Sequence, residues 1–221
     1  MYTIEELVQN CYYGFKDNNF PINLNIAKAM NVKYFVANQP LLHPKLSLVE
    51  QDSQNKLFTY RYEDFTKRAF FVDSVIFIGD SYERLEKIND PSFDITKTAI
   101  LEKEITKVYS PDSSYVNVLD YNPNKLELEV YTDKKALLVL SEVYYPPAWH
   151  AYIDNNEVIS HRTNHAFQSI IVEAGKHSIE LRCNPDSYFF YKNISIASVS
   201  FIYLLLLGYL VRNYYLMKIH K

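Results

Sequence analysis

The segment Ser141–Trp149, which reads Ser-Glu-Val-Tyr-Tyr-Pro-Pro-Ala-Trp, contains residue types that proteins use to hold sugars. Glu142 supplies a carboxylate that accepts hydrogen bonds, and Tyr144 and Tyr145 supply flat aromatic rings. Such rings pack against the apolar C–H faces of a sugar, while its hydroxyl groups need polar partners. We therefore predict Glu142, Tyr144 and Tyr145 as candidate glycan-contact residues, and we assign no catalytic residue.

Structural interpretations compete with this one in the same segment. Trp149 stands in phase with the alternating apolar residues that follow it, which favours a place in a β-sandwich core over a ligand contact. Pro146 cannot donate a backbone hydrogen bond, so the chain is expected to leave the sheet there as a rigid crossing. Glu142 has a second interpretation, in which it bonds nearby backbone or Arg162 instead of a ligand.

The sequence gives little support for metal, nucleotide or redox chemistry. His161 and His165 are four residues apart, as zinc ligands on a helix are, but they lie between predicted strands, which favours a surface loop. Four glycines in 221 residues are too few for a phosphate-binding loop. Cys11 and Cys183 lack a metal or redox spacing, so buried free thiols are favoured and their pairing stays open. No metal or cofactor is expected, and a net charge of -3 without a basic stripe argues against a nucleic-acid partner.

The N-terminal half must supply part of the scaffold for these residues. Residues 1–31 are predicted as a short helical lead-in, because Thr3 and Glu6 form a capping box and a second helix covers about Leu24 to Met30. Residues 32–112 are predicted as a small α+β unit with a helix capped by Asp80. Its strand-like runs are Lys33–Ala37, Leu57–Tyr62, Ala69–Val72 and Val75–Ile78.

The C-terminal half shows a clearer β pattern. Leu126, Leu128 and Val130 alternate with glutamates, and Ala136–Leu140 is a continuous apolar run suited to a strand buried on both faces. Further strands are predicted at Trp149–Ile153, Phe167–Val172 and Ile179–Cys183. Turn residues separate these short strands, so residues 113–187 are predicted as an antiparallel β-sandwich and the fold class as mainly β.

A transmembrane helix is predicted at Asn193–Val211, because these 19 residues carry no charge and lie between Lys192 and Arg212. At about 1.5 Å per residue they match a hydrocarbon core of about 30 Å, and a buried core helix is the disfavoured alternative. The tail 212–221 is richer in basic residues than the other flank, so we expect a cytoplasmic C-terminus and a body outside the membrane. The acidic start of the chain is not a signal peptide, which implies another export route for that body.

Five short motifs, in this order, resemble the C-terminal part of the bacterial YfhO family. They are Asn31–Tyr34, Arg68–Val72, Asp90–Asp94, Ser141–Trp149 and Ala174–His177. Members of this family are large polytopic membrane proteins similar to lipid-dependent glycosyltransferases of the GT-C type. The resemblance runs from about Leu24 to the final helix.

The chain departs from the family pattern at Ala148 and Asn155, where the family usually has glycine, and it lacks the upstream multi-helix region. The catalytic acidic residue of such enzymes belongs to that region, so none is carried over. The resemblance implies an extracytoplasmic accessory domain and last membrane helix of a truncated or partial protein in a bacterial cell membrane. Its partners would be the lipid bilayer and a cell-surface glycan or polyprenyl-linked sugar. The alternatives are a self-standing membrane-anchored binding module and a tail-anchored protein with a cytoplasmic body.

Overall fold

The computed structural model describes residues 4–13, 22–90 and 92–219. Within these ranges the helices are α1 (Ile4–Tyr13), α2 (Leu24–Ala29), α3 (Ser81–Asn89) and α4 (Asp186–Ile219). The strands of the first half are β1 (Tyr34–Ala37), β2 (Leu46–Asp52), β3 (Leu57–Tyr62), β4 (Ala69–Phe71), β5 (Ser74–Phe77) and β6 (Thr98–Leu101). Those of the second half are β7 (Ser114–Asn122), β8 (Lys125–Thr132), β9 (Ala136–Val143), β10 (Trp149–Ile153), β11 (Asn156–Val158), β12 (His161–Thr163), β13 (Phe167–Val172) and β14 (Gly175–Cys183).

Side-chain caps begin helices α2 and α3. The side chain of Asn23 accepts hydrogen bonds from the backbone of Asn25 and Ile26 and so begins α2. Asp80 caps α3 in the same way, through the amides of Tyr82 and Glu83. The helices predicted in this half are confirmed, while Thr3 of the predicted capping box lies outside the described residues.

Helices α1, α2 and α3 share one core with the three-stranded sheet β1-β3-β2. Leu7, Ile26 and Ile88 come from the three helices and are fully buried, and Tyr62 of β3 is 1% exposed. Phe167, at the start of β13, belongs to the same core. The helical residues therefore pack against both the small sheet and the sandwich.

Two larger sheets form the β-sandwich. The five-stranded sheet has the order β11-β10-β14-β8-β7, and the six-stranded sheet has the order β4-β9-β13-β12-β6-β5. Leu126, Leu128 and Leu181 from the first sheet pack with Leu138 and Ile170 from the second in one buried core. All strand pairs are antiparallel except β5 with β6. The predicted mainly β fold with a sandwich in the second half is confirmed.

Strand β9 is buried on both faces, as its continuous apolar run predicts. Leu138 and Leu140 lie in the core between the two large sheets. Leu137 and Val139 point the other way and pack in a third cluster with Val72 and residues of β6. All four are at most 2% exposed.

The six-stranded sheet crosses the boundary predicted between residues 112 and 113. Three of its strands, β4, β5 and β6, come from the first half, and β9, β12 and β13 come from the second. Ala69 pairs with Leu140, and Thr163 pairs with Leu101. The α+β part and the sandwich are thus joined through backbone hydrogen bonds and share a core.

Helix α4 has 34 residues and includes the predicted span. Its stretch Tyr188–Arg212 is long and apolar enough to cross a membrane, and none of its most apolar part is buried by the rest of the described chain. The hydroxyls of Ser198 and Ser200 donate to the carbonyls of Ile194 and Ile196, four residues earlier. These two hydroxyls therefore have hydrogen-bond partners within the helix, as an apolar solvent requires.

Candidate functional site

The residues of Ser141–Trp149 lie at the end of the sandwich from which α4 begins. The amide of Asn184, two residues before α4, donates to the carbonyl of Ala148 over 2.7 Å. The amide of Cys183 donates to the carbonyl of Asn124 in the β7–β8 turn over 2.8 Å. The β9–β10 connection and the β7–β8 turn are therefore both fixed to the segment that enters the helix.

The β9–β10 connection forms a tight turn. The amides of Ala148 and Trp149 both donate to the carbonyl of Tyr145, over 3.0 and 2.9 Å, and the amide of Tyr144 donates to Ala166 over 2.8 Å. Pro146 lies outside both strands, since β9 ends at Val143 and β10 begins at Trp149. These bonds leave Pro146, Pro147 and the ring of Tyr145 exposed to solvent.

Glu142 pairs with Arg68, which the sequence reasoning did not identify. Nη1 of Arg68 lies 2.6 Å from Oε1 of Glu142. The side chain of Arg68 is 29% exposed and that of Glu142 is 14% exposed. The guanidinium of Arg68 also lies over the ring of Tyr121, 3.6 Å from its centroid. The pairing follows from the sheet order, because β4 pairs with β9 and the carbonyl of Arg68 accepts from the amide of Ser141.

Arg162, the partner suggested for Glu142, instead pairs with Glu102. Its Nε lies 3.1 Å from a carboxylate oxygen of Glu102, and its guanidinium lies 5.1 Å from the ring centroid of Tyr144. The interpretation that Glu142 bonds Arg162 is wrong, because Arg68 occupies the position beside Glu142. The site thus contains two arginines, each with a carboxylate and a tyrosine ring.

A buried amide adds a polar group beside the second arginine. Gln168 pairs in register with Arg162, so the two side chains project from the same face of the sheet. Gln168 is 1% exposed, and within the described chain neither its Nε2 nor its Oε1 has a hydrogen-bond partner. Its NH2 group has two hydrogens that can be donated, and its oxygen can accept two hydrogen bonds.

Three aromatic residues of the region differ in their surroundings. Tyr145 is 46% exposed and Tyr121 is 48% exposed, but the guanidinium of Arg68 covers one face of the Tyr121 ring. Trp149 is partly buried and packs against the core between the large sheets. We name Arg68, Glu142, Tyr121, Arg162, Tyr144 and Tyr145 the helix-end cluster.

The surface-loop prediction for His161 and His165 is wrong. His161 begins β12, and His165 lies in the β12–β13 turn with 0% exposure. Its Nε2 is 2.8 Å from a carboxylate oxygen of Glu6, which ties α1 to the sandwich. Burial lowers the pKa of both histidines below the ordinary value of 6.5. The sequence signal was Asn164, which adopts the positive φ of 46° that this turn needs.

The cysteines and the possible metal ligands are also placed. Cys11 and Cys183 are free thiols, and burial among the helices raises the pKa of Cys11 to about 11. Among the described residues no group of three or more His, Cys, Asp or Glu side chains is arranged to hold a metal ion.

The helix-end cluster consists of arginine, carboxylate and tyrosine groups. Both of its carboxylate partners, Glu142 and Glu102, are held by arginines. Guanidinium and carboxylate groups side by side match the donors and acceptors of neighbouring hydroxyls, and tyrosine rings match C–H surfaces. No protein-family model, no curated protein and no solved structure matches the chain.

Proposed function

We propose that this chain is the extracytoplasmic accessory domain and last membrane helix of a YfhO-like membrane protein, where it contacts a cell-surface glycan. This chain binds the glycan, and other parts of that protein form the glycosidic bond. The observation that carries the proposal is the helix-end cluster, in which two ion-paired arginines each lie beside a tyrosine ring at the end of the sandwich from which α4 begins.

The geometry supports glycan contact at the rim of the cluster. Tyr145 is about half exposed, and within the described residues its ring makes no ring or cation contact. Tyr144 offers less ring surface, because Arg162 lies over it. Glu142 accepts a hydrogen bond from Arg68, but a carboxylate has more than two acceptor positions and can also accept one from a sugar hydroxyl. We therefore assign stacking to Tyr145 and polar contacts to Glu142 and its arginine.

The membrane part of the proposal rests on α4. Its 25-residue apolar stretch is about 37 Å long, enough to cross a hydrocarbon core of about 30 Å with some tilt. Basic residues in the tail 212–221 favour a cytoplasmic C-terminus and an outward body in a bacterial cell membrane. The lipid bilayer is accordingly the first partner of the chain.

A glycan array probed with the full chain in phospholipid nanodiscs tests this function. Tyr145→Ala should fold normally and lose about fivefold in affinity, which corresponds to the ~1 kcal/mol expected of one stacked ring. Tyr109→Ala is the matched control, because Tyr109 is 49% exposed and lies elsewhere on the body. Absence of glycan binding by the unaltered chain, or equal loss in both variants, would contradict the proposal.

A further inference from the structure

The turn at Tyr145–Trp149 is held beside the membrane helix, which limits its distance from the bilayer. The hydrogen bond between Asn184 and the carbonyl of Ala148 fixes the turn to the chain two residues before α4. The apolar stretch begins at Tyr188, four residues after Asn184, so the chain between them spans at most about 14 Å.

The first residues of that apolar stretch belong in the headgroup layer. The stretch is 25 residues and so about 37 Å long, while the hydrocarbon core needs only about 30 Å. The four residues that open it, Tyr188, Phe189, Phe190 and Tyr191, are aromatic and exposed, as residues at a membrane interface are. With these four residues among the headgroups, the turn lies within about 14 Å of that layer.

The composition of the turn fits that layer. Tyr145 is 46% exposed, and Pro146 and Pro147 are also exposed, so an apolar surface with one hydroxyl projects from the helix end. The prolines have no amide hydrogen to leave without a partner. The turns at the opposite end contain charged and amide residues instead: Asp133, Lys134, Asp154, Asn155 and Glu173.

We infer that the Tyr145–Pro146–Pro147 turn is a second membrane contact, in which the tyrosine ring and the two prolines rest in the lipid headgroup layer beside α4. The inference rests on the membrane anchoring in the proposed function and holds whether or not a glycan binds. It also narrows the ligand of the helix-end cluster to one that lies at the bilayer surface.

Fluorescence quenching in bilayers tests this contact, because Trp149 is the single tryptophan of the chain. In a Trp149→Phe background, one tryptophan is placed at Tyr145, Tyr109 or Tyr203. The full chain is reconstituted in phosphatidylcholine vesicles that carry a nitroxide either on the headgroup or deep in the acyl chain. Tyr203 lies within the apolar stretch and reports on anchoring.

Tyr109 reports on the far end of the body, since its amide donates to Lys135 in the β8–β9 turn. Strand β8 separates that turn from the helix end by roughly 24 Å. Headgroup nitroxide should therefore quench Tyr145→Trp about threefold more than Tyr109→Trp, because a headgroup layer is only about 5–7 Å thick. Deep nitroxide should quench Tyr203→Trp most strongly.

The outcomes separate the two proposals. Deep quenching of Tyr203→Trp with equal quenching at Tyr145 and Tyr109 would overturn the contact and leave the anchor intact. No deep quenching of Tyr203→Trp would overturn the anchor and the contact together.

Discussion

The stability of the body should depend equally on two neighbouring leucines that point in opposite directions. Leu137 and Leu138 are both 0% exposed, but Leu138 packs between the two large sheets and Leu137 packs under the segment that contains Ile105 and Val108. In an ordinary two-layer sandwich one of two consecutive residues would face water. The substitutions Leu137→Ala and Leu138→Ala therefore test whether β9 is enclosed on both sides.

The expected magnitude follows from the volume removed. Leucine to alanine removes about three carbon groups, and at about 0.8 kcal/mol each this gives about 2.4 kcal/mol before any cavity term. Cavities that do not collapse bring such substitutions to about 2–5 kcal/mol. Each variant should thus lose a large part of the ~5–15 kcal/mol that stabilises a typical domain. Leu119→Ala is the control, since Leu119 is 63% exposed and should change stability by less than about 0.5 kcal/mol.

Urea unfolding of the full chain in detergent micelles provides the measurement, with the fluorescence of Trp149 as the signal. Trp149 packs against the sandwich core and reports its loss. A Leu137→Ala variant as stable as Leu119→Ala, next to a destabilised Leu138→Ala, would refute the enclosed position of β9. Both leucines matching the control would refute the sandwich itself.

The remaining predictions concern an ion pair, a histidine and the helix. Arg68→Ala should lower the free energy of unfolding by about 1–3 kcal/mol, because it leaves the largely buried Glu142 without its partner. Arg182→Ala should lower it less in the same urea titration, because Arg182 is exposed. Because burial lowers the pKa of His165, this histidine is protonated at a higher pH in the unfolded chain than in the folded one. The free energy of unfolding should therefore be highest above pH 6.5 and decrease below it, and His165→Gln should make this decrease shallower. Removal of residues 193–221 should release a body that stays in solution without detergent, since one short turn buries too little apolar surface to hold it; sedimentation with vesicles would show the opposite.

Local periodicity predicted the elements whose side chains have two different environments. In β8, Leu126, Leu128 and Val130 are fully buried while the glutamates between them are not, so the alternation in sequence matches the strand. The sequence pattern does not predict strand β2, for the opposite reason. Its five central residues are all exposed, so packing imposes no alternation on their types. A strand at a sheet edge that faces solvent on both sides leaves no hydrophobic signal.

Only part of the helix-end cluster could be predicted from the sequence. Glu142, Tyr144 and Tyr145 are neighbours in the chain and were found together. Arg68 is 74 residues from Glu142, and Tyr121 meets Arg68 only because the two large sheets pack against each other. Residue types cannot show such contacts, because the strand order that creates them is set by long-range pairing.

The antiparallel order of the strands explains why the candidate site and the membrane helix share one end of the body. Trp149 at the start of β10 pairs with Cys183 at the end of β14, so the connection that precedes β10 must lie where the chain enters α4. The turns after β8, β10 and β13 must lie at the opposite end, because each follows a strand that runs away from the helix. Since β9 also ends beside the helix, the tyrosines and prolines of the β9–β10 connection lie at the end of the body from which α4 begins.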